Sequence, residues 1–426
     1  MGRMSNVRDE DALEPVGLIR QSGAVLRVGK AMLASGTGSY RVKAAMQQVA
    51  QALGLDRHQA HVTLTEITST SHRGPIFRTE VAEVRSIGVN SHRLAQLTDL
   101  CNGLRPGATV EHINTELDRI EKIPPLYPAL ANASFAAMAC GAFAYLNNGG
   151  PVEVTGVFMA AGVGQFVRRT FLHRHINHFG TTMIAAAAAC LVYLAFVLTL
   201  DAVADGGGAS HQAGYVSAVL FLVPGFALVT GALDLAKLDF SAGVARTVYA
   251  LTILTSAGFS VWAVSWLAGL DPAPAVPAEI PVLLGIAFRL LASFLGVLGF
   301  ALMFNSPVRM ALGAAAIGMV TNVLRLELAD LGVAIQASTM IATLLVGLLA
   351  AWVAPLIKVP RITVSVPAVV IMVPGAAVYR AIVGLNNGDV ETAVYSGVQA
   401  VFVVISIAVG LAAARMLTDR AWAFDR

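Results

Sequence analysis

From residue 129 onward the chain is a succession of apolar segments, most of them near the ~20 residues that a helix needs to cross a hydrocarbon core. They fall at 129–147, 152–170, 180–200, 214–234 and 243–268, and, after a Pro-rich loop at 271–281, at 281–304, 307–325, 330–354, 366–385 and 391–414. Backbone in lipid must satisfy its own polar groups, so segments of this length are expected as helices. Charge divides the chain in the same way: of its 55 charged residues, 28 lie in positions 1–128 and 27 in the remaining 298. The expected fold is an α-helical polytopic membrane protein with about ten transmembrane helices behind a small α+β soluble domain.

Composition also excludes some functions. The net charge is only +3 and the Lys and Arg residues form no basic stripe, so no nucleic-acid partner is expected. Cys101, Cys140 and Cys190 stand far apart without a C-x-x-C pair and read as packing residues, not as metal ligands or disulfide partners. The His173-x-His175-x-x-His178 run has metal-like spacing, but it sits among arginines in a juxtamembrane loop, and no metal or cofactor is assigned to it. Met1–Glu14 is polar and lacks the apolar core of a secretory signal, so the first domain is expected in the cytoplasm.

In that domain, residues 16–35 and 39–53 carry apolar positions at helical spacing, the second run stopping at Gly54. The β-branched stretches 61–68 and 76–84, separated by Ser71-His72-Arg73-Gly74-Pro75, predict a β-hairpin. Two more helices are expected at 90–102 and, capped by Thr109, at 110–122. Pro124, Pro125 and Pro128 then make residues 123–128 a stiff linker. Gly36-Thr37-Gly38-Ser39 could offer backbone N–H groups to an anion but lacks the Lys and spacing of a phosphate loop. Glu66, His58 and His61 are the acid–base candidates that a hydrolase would need.

Basic residues test the orientation. With the N-terminus inside, the inner positions hold Arg168, Arg169, Arg174, Lys237, Arg309, Lys358, Arg361, Arg415, Arg420 and Arg426. The outer ones hold Asp201, Asp205, Asp271, Glu279, Glu327, Asp330, Asp389 and Glu391, with Arg325 as the basic exception. Both termini are therefore expected in the cytoplasm, with the chain in the plasma (inner) membrane and the tail at 415–426.

The two sets, 129–268 and 281–414, share landmarks. Gly150-Pro151-Val152 opens the second span and Ser306-Pro307-Val308 the seventh, with Gly162 and Gly318 at matching places. Leu222-Val223-Pro224-Gly225-Phe226-Ala227 interrupts the fourth span and Met372-Val373-Pro374-Gly375-Ala376-Ala377 the ninth. Five spans per set turn the second upside-down, giving a 5+5 inverted repeat of the kind whose interrupted helices form a midplane substrate site in secondary transporters. Proline lacks the N–H that would reach the carbonyls of Leu220 and Val370, so those carbonyls are expected to be free, while Gly225 and Gly375 permit close backbone approach. Pro224, Gly225, Pro374 and Gly375 are thus substrate-site candidates.

Polar residues inside spans are costly and mark function. Gln165, Asn322, Arg289 and Arg380 are further substrate-binding candidates, either arginine being able to hold a carboxylate or to pair with Glu153 or Asp389. Glu153 and Asp234 are the proton-coupling candidates, and Gln336 and Gln399 complete the polar set.

Leu33-Ala34-Ser35-Gly36-Thr37-Gly38-Ser39-Tyr40-Arg41-Val42, the stretch Met46–Leu55 and the Thr63–Thr68 strand, together with the ten-span layout, resemble the threonine/serine exporter family in its fused form. The resemblance implies a proton-driven secondary exporter of threonine and serine, with protons and the lipid bilayer as its other partners; a homo-oligomer is left open. Some relatives are split into two proteins linked to succinate export, so a small dicarboxylate is the alternative substrate. A membrane-anchored hydrolase or a ligand sensor acting through the N-terminal domain is the alternative from another class.

Overall fold

The structure, a computed structural model, describes residues 15–84, 88–203, 214–269 and 280–423. Expectations resting on Met1–Glu14, on the loop at 271–279, on Asp205 and on Arg426 fall outside the described residues. The chain divides into two units. One holds the residues through Pro125 together with Leu233–Arg246, and the other holds Leu126–Ala232 and Thr247–Arg426.

The N-terminal unit has helices α1 (Val16–Ala34) and α2 (Ser39–Ala52), three strands, and helices α3 (Ser91–Gly103) and α4 (Val110–Lys122). The helical spacing read from the sequence is the buried face: Leu18, Val25 and Met32 of α1 pack in a core with Met46 and Val49 of α2 and with Leu94, Ile113 and Leu117. Asn90 caps α3 by accepting from Arg93 N at 3.0 Å, and Thr109 caps α4 as expected, accepting from His112 N at 3.2 Å.

The strands correct the expected hairpin. β1 (Arg57–Val62), β2 (Glu66–Arg73) and β3 (Ile76–Glu83) form an antiparallel sheet in the order β1-β2-β3, with Val62 opposite Ile67 and Arg73 opposite Ile76. The stretch 61–68 is therefore two strand ends and a turn. Thr63 makes the turn, its hydroxyl accepting from Glu66 N at 3.1 Å while its own N–H reaches Glu66 O at 2.9 Å. A threonine can bond its neighbours' backbone and turn the chain even though its β-branch reads as strand.

The second unit is helical: α5 (Ala129–Leu146), α6 (Pro151–His173), α7 (His178–Val203), α8 (Gly214–Ala218), a 3-10 turn at Leu220–Leu222, α9 (Gly225–Ala236), α10 (Phe240–Ala268), α11 (Val282–Met303), α12 (Val308–Asp330), α13 (Ile335–Leu356), α14 (Arg361–Val370), α15 (Gly375–Asn386) and α16 (Val390–Thr418), followed by the single turn α17 (Arg420–Ala423). The end of α9 and the first turns of α10 group with the N-terminal unit. Each of the expected segments overlaps a helix, those at 214–234 and 366–385 as bent pairs. Among the described residues, seven helices are long and apolar enough to cross a membrane, and nine spans result if the bent pairs α8–α9 and α14–α15 each count as one. Helix α6 has 23 residues but stands outside that set, because Glu153, Gln165, Arg168 and Arg169 make it more polar than its neighbours.

Small residues fill the bundle interior. Ala136, Cys140, Ala160, Ala161, Ala189 and Cys190 are fully buried around Tyr193, Phe221 and Tyr379, while Leu130, Leu198, Leu283 and Trp352 point outward. Lipid gives apolar side chains no reason to hide, so close helix packing through small residues decides the interior.

Candidate substrate site at two broken helices

Proline at 224 and at 374 breaks two helices in the same way. At the first break Val223 N donates to Leu220 O at 3.1 Å, Gly225 N to Val223 O at 2.8 Å, and Leu228 N to Pro224 O at 3.0 Å. At the second, Val373 N donates to Val370 O at 3.1 Å, Gly375 N to Val373 O at 2.8 Å, and Val378 N to Pro374 O at 3.1 Å. The two helix pairs bend by 60° and 45°.

These bonds correct the expectation that Leu220 and Val370 keep free carbonyls. The chain ahead of each proline tightens into a 3-10 turn, whose i to i−3 bond supplies the donor that the proline lacks. The loss moves one residue along. Gly225 and Gly375, which in an unbroken helix would donate to Phe221 and Ile371, turn back onto Val223 and Val373.

The breaks also touch each other, reciprocally. A β-carbon on Gly225 would lie 3.3 Å from both methyls of Val370 and 3.5 Å from Val373, while one on Gly375 would lie 2.7 Å from Val223 and 2.8 Å from Leu220. Leu220, Val223 and Gly225 thus meet Val370, Val373 and Gly375 at equivalent positions. At Gly375 a side chain would overlap its neighbours, so its absence there lets the two helix starts come this near.

Around this crossing the amides have distinct jobs. Gln165 on α6 donates to Asn132 Oδ1 at 2.8 Å, and Asn132 on α5 donates to Met303 O at 3.0 Å. Asn322 on α12 is fully buried, donates to Ser293 Oγ on α11 at 2.9 Å, and accepts from Arg325 Nε at 3.1 Å. Each amide ties the second helix of its set to the first. Asn132 and Ser293 were not singled out in the sequence, where an isolated small polar residue in an apolar run gives little signal.

The charged candidates separate. Glu153 is buried and caps α6, its carboxylate accepting from Gly150 N at 2.8 Å. Arg289 pairs with Glu327 at 2.7 Å and Asp330 at 2.5 Å, not with Glu153 or Asp389. Arg380 is half-buried on α15 and has no hydrogen-bond or ion-pair partner among the described residues. Gln336 and Gln399 line an open groove of about 940 Å³ with Glu391 and Tyr395. Among the described residues no three His, Cys, Asp or Glu side chains converge as metal ligands; His178 instead meets Tyr249 Oη at 2.7 Å.

Asp234 belongs to the N-terminal unit. Its fully buried carboxylate pairs with Arg246 at 3.1 Å and accepts from Ser39 N at 3.2 Å, and Arg246 donates to Thr37 O at 2.8 Å. Asp239 accepts from the Ser39 hydroxyl and pairs with Lys43 at 2.6 Å. The Gly36–Ser39 turn at the start of α2 does hold anions, and they are carboxylates of this chain. A β-carbon on Gly38 would come within 2.9 Å of Asp234, so the glycine makes the room. Arg246, a charge in the apolar run 243–268, is legible in the sequence by the same cost argument that marks Asp234.

The acid–base candidates do not assemble. His58 Nδ1 bonds Ser71 Oγ at 2.9 Å, His61 Nε2 reaches Ser241 Oγ at 3.3 Å, and Glu66 accepts from Thr68 Oγ1 at 3.3 Å. Burial holds the His58 imidazole below its usual range.

Known proteins give the geometry its context. A family profile described as "Putative threonine/serine exporter" matches residues 24–267, and a second, "Threonine/Serine exporter", matches residues 289–417. A probable threonine/serine exporter of Mycobacterium tuberculosis is 27% identical over 392 residues, 85% of this chain and 70% of its own length. A probable succinate transporter subunit of Escherichia coli is 25% identical over 248 residues, 57% of this chain and 93% of its own. Its counterpart in Klebsiella aerogenes is 26% identical over 246 residues, 55% of this chain and 90% of its own. No solved structure matches.

Proposed function

Because the chain belongs to the threonine/serine exporter family and is a multi-pass membrane protein, we propose that it carries threonine and serine out of the cytoplasm at the crossing of its two broken helices. The reciprocal packing of Gly225 on Val370 and of Gly375 on Val223 carries this reading. It is the contact expected if the five-helix sets at 129–268 and 281–414 are inverted copies meeting at a pseudo-two-fold axis. Helices α9 and α15 both start there, and first-turn N–H groups have no acceptor within their own helix, so they offer donors to a polar solute. The displaced carbonyls of Phe221 and Ile371 suit an ammonium group. Gln165 and Asn322 brace the helices that surround the crossing, and Arg380 is the spare cation on α15.

Export against a gradient needs a coupled ion, and the proton is our choice. Glu153 and Asp234 are the carriers we put forward. Protonating a carboxylate clasped by Arg246 and Ser39 would loosen that clasp, which gives protonation a mechanical consequence. In this reading residues 1–122 form a cytoplasmic domain, 123–128 the linker and 415–426 a cytoplasmic tail of an inner-membrane protein.

Proteoliposomes loaded with threonine or serine and given an inward proton gradient test the proposal. Gradient-stimulated efflux is expected, and its abolition by Gly375→Val is expected too. No stimulated flux of either amino acid would sink it. Likeness to the two succinate transporter subunits favours a second reading, efflux of a small dicarboxylate, and succinate loaded into the same vesicles decides between them.

A further inference from the structure

Two helices of the membrane unit carry an amide followed three residues later by an arginine, and the structure treats the two pairs differently. On α12, Asn322 and Arg325 satisfy each other: the guanidinium Nε donates to Asn322 Oδ1 at 3.1 Å, and the amide's own N–H₂ goes to Ser293. On α6, Gln165 and Arg168 are also one turn apart and so share a face. Here nothing closes the pair. Gln165 is 6% exposed and its Oε1 is buried without a partner. Arg168 is half-buried, and among the described residues it has neither a carboxylate nor a hydrogen-bond acceptor.

A third unsatisfied group lies on α15, in the buried cluster that also holds Ala160 and Ala161 of α6. Tyr379, 0% exposed, has a hydroxyl with no hydrogen-bond partner, and it lies within electrostatic reach of Arg168. It projects from the second turn of α15, the helix that begins at Gly375. Tyr249, also within reach of Arg168, is already engaged with His178, so Tyr379 is the hydroxyl left over. The acid on α6 itself, Glu153, is fifteen residues away, roughly 22 Å along the helix. Buried polar atoms in folded proteins are paired, and two left open, Gln165 Oε1 and Tyr379 Oη, within reach of a cation without a partner ask for a ligand with negative charge and hydrogen-bonding capacity.

We propose that Arg168, Tyr379 and Gln165 form the subsite that binds the carboxylate of the transported solute. The inference rests on the transporter reading above and deepens it. Arg168 supplies the charge in the fork geometry that matches a carboxylate, Tyr379 donates its O–H to the same group, and Gln165 Oε1 accepts from a neighbouring N–H or O–H of the solute. Threonine, serine and succinate all present a carboxylate, so the subsite serves either substrate class. Because Arg168 belongs to the first set and Tyr379 to the second, a bound carboxylate links the two.

The test uses the full chain in proteoliposomes with threonine and threoninamide, and succinate and succinamic acid, as probe pairs that differ by one carboxylate. Wild-type protein is expected to prefer the acid, and Arg168→Gln to raise its KM roughly tenfold or more while abolishing the preference. Tyr379→Phe is expected to raise KM several-fold with Vmax kept. A preference that survives Arg168→Gln overturns the subsite while leaving the transporter reading intact. Should Arg168→Gln not accumulate in the membrane, Tyr379→Phe decides, and an unchanged KM overturns the subsite. Thermal-shift titration of purified protein with the same compounds separates the remaining cases. Arg168-dependent binding without flux removes the transporter reading and keeps the subsite, and neither binding nor flux removes both.

Discussion

Gly225 and Gly375 stand at matching places but do not have equal room. A β-carbon would be 2.7 Å from Val223 at Gly375 and 3.3 Å from Val370 at Gly225. Gly375→Ala is therefore expected to destabilise by about 1–3 kcal/mol through overpacking, and Gly225→Ala by roughly half a kcal/mol or less. Melting temperatures of the two variants in detergent measure this; equal shifts would contradict the geometry. At Asn322, replacement by Leu strands the Ser293 hydroxyl and the Arg325 guanidinium, at a cost of about 1–3 kcal/mol. His58 offers a pH test. Burial lowers its folded pKa, so the unfolded chain binds the proton more readily. Stability is then full above about 6.5 and is lost as pH falls toward the lower folded value. Hydrogen exchange at β1 and β2 should quicken in that window, and less so in His58→Gln; identical pH slopes would remove His58 from the account.

At the scale of elements, the two breaks are made by proline and placed by glycine. Restoring a donor with Pro224→Ala lets an N–H reach Leu220 O and removes the reason for the 3-10 turn. We expect that variant to be as stable as the parent, to gain exchange protection across 222–226, and to lose efflux. Undiminished efflux with a straightened helix would separate the break from transport. The pair of breaks was legible in the sequence because proline in an apolar run removes a helix donor wherever it falls. The carbonyls they release were not, because the chain ahead of a proline can tighten, and that choice depends on what packs beside it. The same limit applies at Thr63, where strand-forming residues conceal a turn made by a side-chain hydroxyl.

For the whole molecule, the described residues provide seven helices able to cross, or nine spans with the bent pairs. Cysteines introduced at Lys358 and Asp389 flank α14–α15. If the pair crosses the bilayer, an impermeant maleimide labels the two from opposite sides; labelling from one side would make it a re-entrant loop. The native background is low, since Cys101, Cys140 and Cys190 are all buried. Apolar length and charge placement determined by themselves that this chain is a membrane protein with a polar N-terminal domain, because a backbone in lipid must satisfy itself and apolar runs of about 20 residues do so as helices. Repetition of Pro-Gly determined where those helices fail. Only the tertiary structure decided which charges are spoken for. Arg289 goes to Glu327 and Asp330, and Asp234 goes to Arg246 and Ser39, while Arg168 has no partner among the described residues. Hydropathy reports how costly a charge is to bury, and only packing brings the partner that offsets the cost.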